Sequence, residues 1–180
     1  IFEDEWLNKK NIVKSRLKNL FNLSENKIFA RKTQIKNVSN IEAKNFLIEN
    51  HLQGKIDALI NIGLYHNDIL VSLMCFGNLR KNLGNNTKEN SYELLRFCNK
   101  LNHNIVGGAS KLLNYFEKKY KPNELISYAD RRWSSGNLYN KLGFIETHIS
   151  PPNFFYINNQ SRINRFQYRK DILISKYNCD

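Results

Sequence analysis

The spacing of apolar positions predicts an amphipathic helix at the start of the chain. Apolar residues recur at helical intervals between about residues 4 and 21, and the pattern then breaks at a polar stretch typical of a hinge. A different face of this helix carries a lysine at every fourth position, namely Lys10, Lys14 and Lys18. We therefore expect a basic helix and hinge over residues 1–24, ahead of a main domain over residues 25–180.

After the hinge, the pattern predicts alternating strands and helices. Ser39, followed three residues later by Glu42, has the capping-box pattern that starts a helix. The β-rich runs Ala58–Tyr65 and Ile69–Phe76 are joined by His66-Asn67-Asp68, which tolerates the backbone angles of a tight hairpin. The other predicted elements are strands at 28–38, 91–98, 125–129, 144–149 and 154–157, helices at 107–120 and 134–142, and a surface loop at 78–90. This β-α-β-β-β-α-β-α-β-β order predicts one α/β (α+β) domain.

The composition is that of a folded chain with one core. Of the 180 residues, 41% are hydrophobic and 12% aromatic, which is enough apolar surface to offset the entropy cost of folding. No apolar run approaches the ~20 residues that a membrane-spanning helix needs. The first residues are acidic where a secretory signal would be basic. We expect a cytoplasmic protein with no membrane partner.

The cysteines and histidines indicate neither disulfides nor a metal site. The three cysteines are an odd number without CxxC spacing, and two of them, Cys75 and Cys98, lie in apolar strand-like runs. The four histidines are scattered, and none pairs with another ligand at helical or knuckle spacing. We therefore expect reduced, packed cysteines and no bound metal.

The net charge of +12 is the strongest compositional clue to a partner. Excess Lys and Arg attract polyanions through release of counterions, so DNA is the expected partner. The alternative is an AT-rich genome that inflates Lys codons and leaves a basic but inert surface. The first candidate DNA-binding residues are the helical lysines Lys10, Lys14 and Lys18. The second group is the cluster Arg131, Arg132 and Trp133, in which the two guanidiniums can hold phosphate and the indole can stack on a base. For the cluster, the alternative is an arginine pair that neutralises Asp130 and covers the indole.

A glycine turn before the predicted helix at 107–120 is the first candidate for chemistry. Gly107-Gly108-Ala109 lies between a strand and an amphipathic helix, where small residues let backbone N–H groups approach an anion and the helix dipole adds positive potential. This is a phosphate-binding arrangement. Small residues also serve plain strand-to-helix turns, which is the alternative.

Two motifs resemble those of the GNAT acyltransferase superfamily. The run from Asn137 to Phe144, with Tyr139 four residues before Gly143, is similar to that family's C-terminal motif, and the run from Asn104 to Ala109 resembles its pyrophosphate loop. The two motifs also occur in the family's order, and the predicted elements agree from about residue 28 to 157. The resemblance implies a mixed, mostly antiparallel sheet flanked by helices, which opens between the strands at 91–98 and 125–129 to admit acetyl-CoA or another acyl-CoA.

The same resemblance implies roles for individual residues. Tyr139 would protonate the departing thiolate, and Glu93 would be the general base; core packing and a surface carboxylate are the respective alternatives. Asn104 stands where the family usually has Gln or Arg, which weakens the case for tight CoA binding. The residues implied in cofactor binding are those of the loop, the first turn of the following helix and the second motif: Asn104, Val106, Gly107, Gly108, Ala109, Ser110 and Asn137.

A second resemblance covers nearly the whole chain. Ile1–Leu20 resembles the closing segment of Vsr-like nuclease domains in phage and viral homing endonucleases, and three later stretches resemble the region that follows that nuclease: 49–54, 93–101 and 127–139. The nuclease's catalytic carboxylates would lie upstream of Ile1, so no DNA cleavage chemistry is expected here. Two functions follow as hypotheses. One is an acyl-CoA-dependent N-acyltransferase-type domain working at DNA, and the other is a catalytically silent DNA-binding or targeting domain.

Overall fold

A computed structural model describes residues 1–80 and 89–177. Most of the predicted loop at 78–90, and Cys179, lie outside the described residues. The helices and strands, in chain order, are α1 (Glu3–Leu20), β1 (Asn26–Phe29), β2 (Gln34–Asn37), α2 (Asn40–Asn50), β3 (Ile60–His66), β4 (Ile69–Asn78), β5 (Ser91–Asn99), β6 (His103–Val106), α3 (Gly108–Tyr120), β7 (Glu124–Ser127), α4 (Asn137–Lys141), β8 (Phe155–Asn158), β9 (Ser161–Asn164) and α5 (Lys170–Tyr177). Short 3₁₀ turns lie at Ala30–Lys32 and Arg165–Tyr168.

A five-stranded sheet with the order β2-β3-β4-β5-β7 forms the centre of the fold. The first three pairings are antiparallel and the last, β5 with β7, is parallel. Along β4, Met74 and Phe76 belong to the apolar cluster that includes α3, whereas Leu73 and Cys75 belong to the cluster that includes α2. Helices therefore cover both faces of the sheet, which confirms the predicted mixed, mostly antiparallel sheet flanked by helices.

Two local predictions are confirmed by backbone geometry. The Ser39 side chain accepts the Glu42 backbone N–H at 3.2 Å and caps α2. Asn67 and Asp68 join β3 to β4 with φ angles of 49° and 59°, the left-handed values that a two-residue hairpin turn requires. Both signals are local in sequence, so they do not depend on tertiary partners.

The single strand predicted at 28–38 is wrong, because the 3₁₀ turn at Ala30–Lys32 divides it into β1 and β2. β2 joins the main sheet, whereas β1 pairs in parallel with β6 in a separate two-stranded sheet. The Lys111 ammonium, from the first turn of α3, donates to the Ala30 carbonyl at 2.8 Å and to the Thr33 carbonyl. These bonds satisfy carbonyls that a turn removes from the strand ladder.

The closing strand predicted at 144–149 is also wrong: this segment has no regular structure. Phe144 still packs on the apolar cluster that includes α3, but Ile145 is 87% exposed and Ile149 is exposed as well, so these two side chains have no sheet to pack against. Pro151 and Pro152 follow directly, and each lacks the N–H that a ladder needs. The strand predicted at 154–157 exists as β8, but it pairs with β9 in a hairpin outside the main sheet.

The N-terminal helix packs on the rest of the chain along one face. Ile12 and Val13 are buried in a cluster with Leu52 of the segment after α2. The Ser15 hydroxyl accepts the Asn102 N–H at 2.8 Å, which ties α1 to the turn between β5 and β6. The division at residue 24 into a separate helix and a main domain stays a prediction. No helix in the described part of the chain is long and apolar enough to cross a membrane.

Candidate functional site

An opening in the sheet lies where β5 and β7 stop pairing. Their parallel ladder ends at Leu94 and Ser127, although β5 continues to Asn99. At the same point β5 carries a bulge, because Arg96 lies opposite Cys75 and Leu94 opposite Phe76, which leaves Leu95 as the extra residue. A Cβ on Gly77 would lie 2.7 Å from Leu95 Cδ1, so the missing side chain of Gly77 makes room for the bulge.

The glycine turn lies at the N-terminus of α3, as predicted. Gly107 has a φ of 77° and is the cap residue, a conformation that favours glycine. A Cβ on Gly108 would lie 2.9 Å from Ile105 Cγ2, so the helix start packs closely on the strand before it. Gly107 and Ser110 are exposed, and the first N–H groups of a helix have no acceptor within it. The turn therefore fits an approaching phosphate, and it also fits a plain strand-to-helix connection.

The remaining residues implied in cofactor binding lie beside the turn and beyond β7. Asn104 and Val106 are on β6, in register with Lys27 and Phe29 of β1, so β1 occupies one edge of the strand that leads into the turn. Asn137 is exposed and opens the short helix α4 after Gly136, whose φ is 89°.

Tyr139 is half-buried on α4. Its ring packs edge-to-face on Phe144, with centroids 5.5 Å apart, and both rings contact the apolar cluster below α3. Within the described residues, its hydroxyl has no hydrogen-bond partner. The ring thus has the packing role that the alternative predicted, while the hydroxyl is available for another contact.

Glu93 is buried rather than on the surface, since only 1% of the residue is exposed. The Arg80 guanidinium holds both carboxylate oxygens: Nε donates to Oε2 at 2.9 Å, and Nη2 donates to Oε1. Glu93 lies on β5 opposite Gly77, immediately before the end of the β5–β7 ladder. Each carboxylate oxygen keeps a lone pair beyond its bond to Arg80, so the group can still accept a proton.

A cleft of about 540 Å³ lies next to Glu93. Its walls come from α1, the segment after α2, the segment after β4, β5, the segment after β7 and the β8–β9 hairpin. Apart from Glu93 and Arg132, the charged and aromatic residues that line it were not predicted from the sequence: Asp4, Glu5, Arg80, Arg96, Tyr128, Phe155 and Arg162. They come from separate segments, so no local motif could have indicated them.

The rim of this cleft is held by the start of α1. The Phe2 ring lies between two guanidiniums, with Arg132 Cζ 4.3 Å and Arg162 Cζ 3.8 Å from its centroid. Glu5 accepts a hydrogen bond of 3.1 Å from each of the same two arginines. Burial opposes ionisation of Glu5, but the Phe2 N–H and these guanidiniums outweigh it and lower the pKa of the carboxyl. The N-terminal helix is thereby tied to the β8–β9 hairpin.

Some of the residues predicted to bind DNA already contact other side chains of the chain, whereas others are exposed. Arg132 pairs with Asp130 at 2.6 Å, as the alternative predicted, but the cation that covers Trp133 is Arg16, at 4.8 Å from the ring centroid. Trp133 packs in the cluster under α1.

The three helical lysines lie in different surroundings. Lys14 is exposed, the Lys10 ammonium lies 5.2 Å from the Trp6 ring centroid, and Lys18 pairs with Glu25. Arg131 is exposed.

No group of three or more His, Cys, Asp or Glu side chains that could hold a metal ion occurs within residues 1–80 and 89–177. The thiols of Cys75 and Cys98 are free and buried. Burial raises the pKa of Cys75 to about 12 and raises that of Cys98 as well, so both thiols stay protonated.

Solved structures with this fold include N-acetyltransferases. The aminoglycoside acetyltransferase meta-AAC0020 from an uncultured soil metagenomic sample matches with a TM-score of 0.52 and 11% identity, over 71% of this chain and 98% of its own. The aminoglycoside N-acetyltransferase AAC(6')-Iy, in complex with CoA, matches with a TM-score of 0.50 and 14% identity, over 71% and 95%. A transcriptional regulator from Bacillus halodurans C-125 matches with a TM-score of 0.50 and 11% identity, over 68% and 99%. No protein-family model and no curated protein matches the sequence. The chain shares the fold of these two N-acetyltransferases.

Proposed function

We propose that this chain is an acyl-CoA-dependent N-acyltransferase-type domain. The observation that carries the proposal is the opening between β5 and β7, with the buried Glu93 beside it. The glycine turn at the start of α3 is the second element, since it presents backbone N–H groups that have no acceptor within the helix, at the position that the sequence resemblance implies for the pyrophosphate loop. The solved complex of AAC(6')-Iy with CoA supports the choice of acyl donor.

The side chains of the site suit the steps of an acyl transfer. Acyl-CoA would supply the activated thioester. The N–H groups of Gly108, Ala109 and Ser110 would bind its pyrophosphate, and Asn137 would face its pantetheine arm. Glu93 would take the proton from the attacking amine, directly or through a water, and Tyr139 would give a proton to the departing sulfur. Asn104 offers a shorter, neutral side chain beside the turn than the Gln or Arg usual in the family, so the helix N-terminus would supply most of the anion binding.

Binding of acetyl-CoA at the turn can be tested with Ser110→Glu. Ser110 is exposed in the first turn of α3, so the added carboxylate should be tolerated by the fold and favoured by the helix dipole, but it should repel the pyrophosphate. For the unchanged chain, acetyl-CoA at ~100 times its dissociation constant should add about 2.7 kcal/mol of stability. We expect acetyl-CoA to raise the melting temperature of the unchanged chain but not that of Ser110→Glu.

The matched control is Ile41→Glu, which places the same charge in the exposed first turn of α2. This variant should keep the full acetyl-CoA shift. Absence of any shift in the unchanged chain at millimolar acetyl-CoA would contradict the proposed cofactor.

A DNA-binding role is the second candidate, favoured by an aromatic and basic surface at the C-terminal end. Phe154 and Phe166 are 52% and 50% exposed, and the Arg165 guanidinium lies 5.2 Å and 5.4 Å from their ring centroids. Exposed rings with arginines can stack on bases and bind phosphates. The net charge of +12 and the resemblance to the region following a Vsr-like nuclease of phage and viral proteins support DNA as the partner. The occurrence of the same fold in a protein described as a transcriptional regulator is compatible with such a role.

Salt dependence measures how far charge drives this binding. The affinity for duplex DNA should fall with salt at a log–log slope near −0.9 per phosphate neutralised, and Arg165→Gln should reduce the slope by about 1. Arg169→Gln is the control, because Asp171 already offsets that charge at 3.1 Å. Fluorescence anisotropy over a salt series measures both. A flat salt dependence would mean that the basic surface reflects codon bias.

A further inference from the structure

The cleft beside Glu93 contains one guanidinium more than it has carboxylates. Four arginines and three acidic residues line it. Six of these seven groups form three ion pairs: Arg80 with Glu93, Arg132 with Glu5, and Arg162 with Asp4. The arginine that remains, Arg96, has no carboxylate partner within the described part of the chain.

Arg96 is also incompletely hydrogen-bonded. Its Nη1 donates to the Leu95 carbonyl at 2.7 Å, but its Nε is buried and has no acceptor among the residues that the structure describes. Burial lowers the pKa of this guanidinium, and the neighbouring Arg80 adds to the effect. A guanidinium stays charged in proteins, so the cost of burying the charge falls on folding unless a ligand offsets it.

Glu93 offsets part of the positive charge of Arg96, but further cations lie in the same region. Burial, together with the positive charges of Arg96, Arg16 and Lys9, lowers the pKa of His51 to about 3. The Lys9 ammonium donates to the Leu52 carbonyl, and Leu52 itself lines the cleft. Cations from α1 and β5 therefore meet at this end of the cleft, a setting that attracts an anion.

We propose that this cleft binds the acyl acceptor and selects an amine that also carries an oxyanion, either a carboxylate or a phosphate, which Arg96 binds. The inference rests on the proposed acyltransferase function. Glu93 and Arg96 both line the cleft from β5, so one small molecule can present its amine to the first and its anion to the second. Two of the acetyltransferases that share the fold are described as acting on aminoglycosides, which are polycations. A cleft with an excess guanidinium disfavours such an acceptor.

Calorimetric titration without acyl-CoA tests the anion subsite by itself. The probes are O-phosphoserine and glutamate, n-butylamine as an amine that carries no oxyanion, and spermidine as a polycation. We expect one or both anionic amines to bind, and Arg96→Gln to raise the dissociation constant about 10- to 100-fold, the loss typical of one charge-assisted hydrogen bond. Comparison of O-phosphoserine with glutamate shows whether phosphate or carboxylate is preferred. Arg31→Gln, at an exposed arginine that stacks on Phe29, is the control and should bind as the unchanged chain does.

A stability measurement separates loss of binding from loss of folding. Because Arg96 is half-buried with no carboxylate partner among the described residues, Arg96→Met should raise Tm by about 2–4 °C in the absence of ligand while abolishing binding of the anionic probe. The proposal is overturned if n-butylamine binds as tightly as glutamate and O-phosphoserine do, if spermidine binds best, if Arg96→Gln binds like Arg31→Gln, or if no probe binds.

Failure of the anion subsite can be distinguished from failure of the proposed acyltransferase function. Ser110→Glu should leave binding of the anionic probe unchanged, because Ser110 lies at the start of α3 and does not line the cleft. Binding of the anionic probe without any acetyl-CoA shift would support the anion subsite and overturn the transferase. An acetyl-CoA shift without binding of any probe would overturn the anion subsite alone.

Discussion

Glu93→Gln is expected to lower kcat for acyl transfer by about 10²–10⁴-fold, the contribution typical of a positioned general base. Glutamine keeps the size of the side chain and one acceptor oxygen for Arg80, but it cannot take a proton from the amine. The loss should appear in kcat with little change in acetyl-CoA binding. The assay follows thiol release from acetyl-CoA with the anionic amines as acceptors, and with lysine-rich peptides, polyamines and DNA beside them.

Glu49→Gln is the matched control for that variant, since Glu49 is exposed on α2 and does not line the cleft. Tyr139→Phe, which keeps the ring against Phe144 and removes only the hydroxyl, should lower kcat separately. The double variant should lose little beyond the worse single one, because the two groups serve one transition state. Turnover unchanged by either substitution would leave Glu93 and Tyr139 as structural residues.

Features set by short-range rules could be predicted from the sequence. The caps and turns at Ser39, Asn67-Asp68 and Gly107 depend on side chains or backbone angles within a few residues, and the structure has each of them where the pattern indicated. The helix α3 and the hairpin β3–β4 follow from their apolar periodicity in the same way. Of these features, the turn at Gly107 also lies in one of the two motifs that resemble those of the GNAT superfamily.

Pairing partners could not be predicted, and this explains the incorrect strands. The alternation at 144–149 indicates a strand period but says nothing about whether a free sheet edge is in reach. At 28–38 the period also continues through the point where Lys111 captures the carbonyls of a turn, and Lys111 is remote in sequence. The apolar pattern of a segment can therefore show that it has the periodicity of a strand without showing which strand it pairs with.

In the candidate site, the partners of the charged side chains likewise could not be predicted from the sequence. The sequence indicated Glu93 but not that Arg80 would bury and hold it, and Arg96 had no motif at all. No pattern in the sequence indicated that Phe2 and Glu5, at the start of α1, would contact Arg132 and Arg162 at the rim of the cleft. These interactions bridge segments far apart in the chain, so they require the fold to be known first.

His51 should make the folded state lose stability as the pH falls below neutrality. Its Nδ1 accepts the Gln53 N–H at 3.1 Å, so protonation would place a second hydrogen where that donor already points. Burial and the charges of Arg96, Arg16 and Lys9 also disfavour the cation, and together they lower the pKa of His51 from 6.5 to about 3. Between these two values the unfolded chain binds a proton that the folded chain does not.

The sign of the effect follows from that difference. Since the unfolded state binds more protons, the free energy of unfolding must decrease as the pH is lowered from 6.5, and the loss attributable to this group reaches about 2 kcal/mol near pH 4.5. His51→Asn keeps an acceptor for the Gln53 N–H and removes the titration. Urea unfolding at the two pH values should therefore show the variant gaining about 2 kcal/mol relative to the unchanged chain on acidification. His148→Asn, at an exposed histidine, should not show this gain. If His51→Asn and the unchanged chain lost equal stability on acidification, the cations of α1 and β5 would not be acting on His51, and the excess positive potential at the Arg96 end of the cleft would lose its independent support.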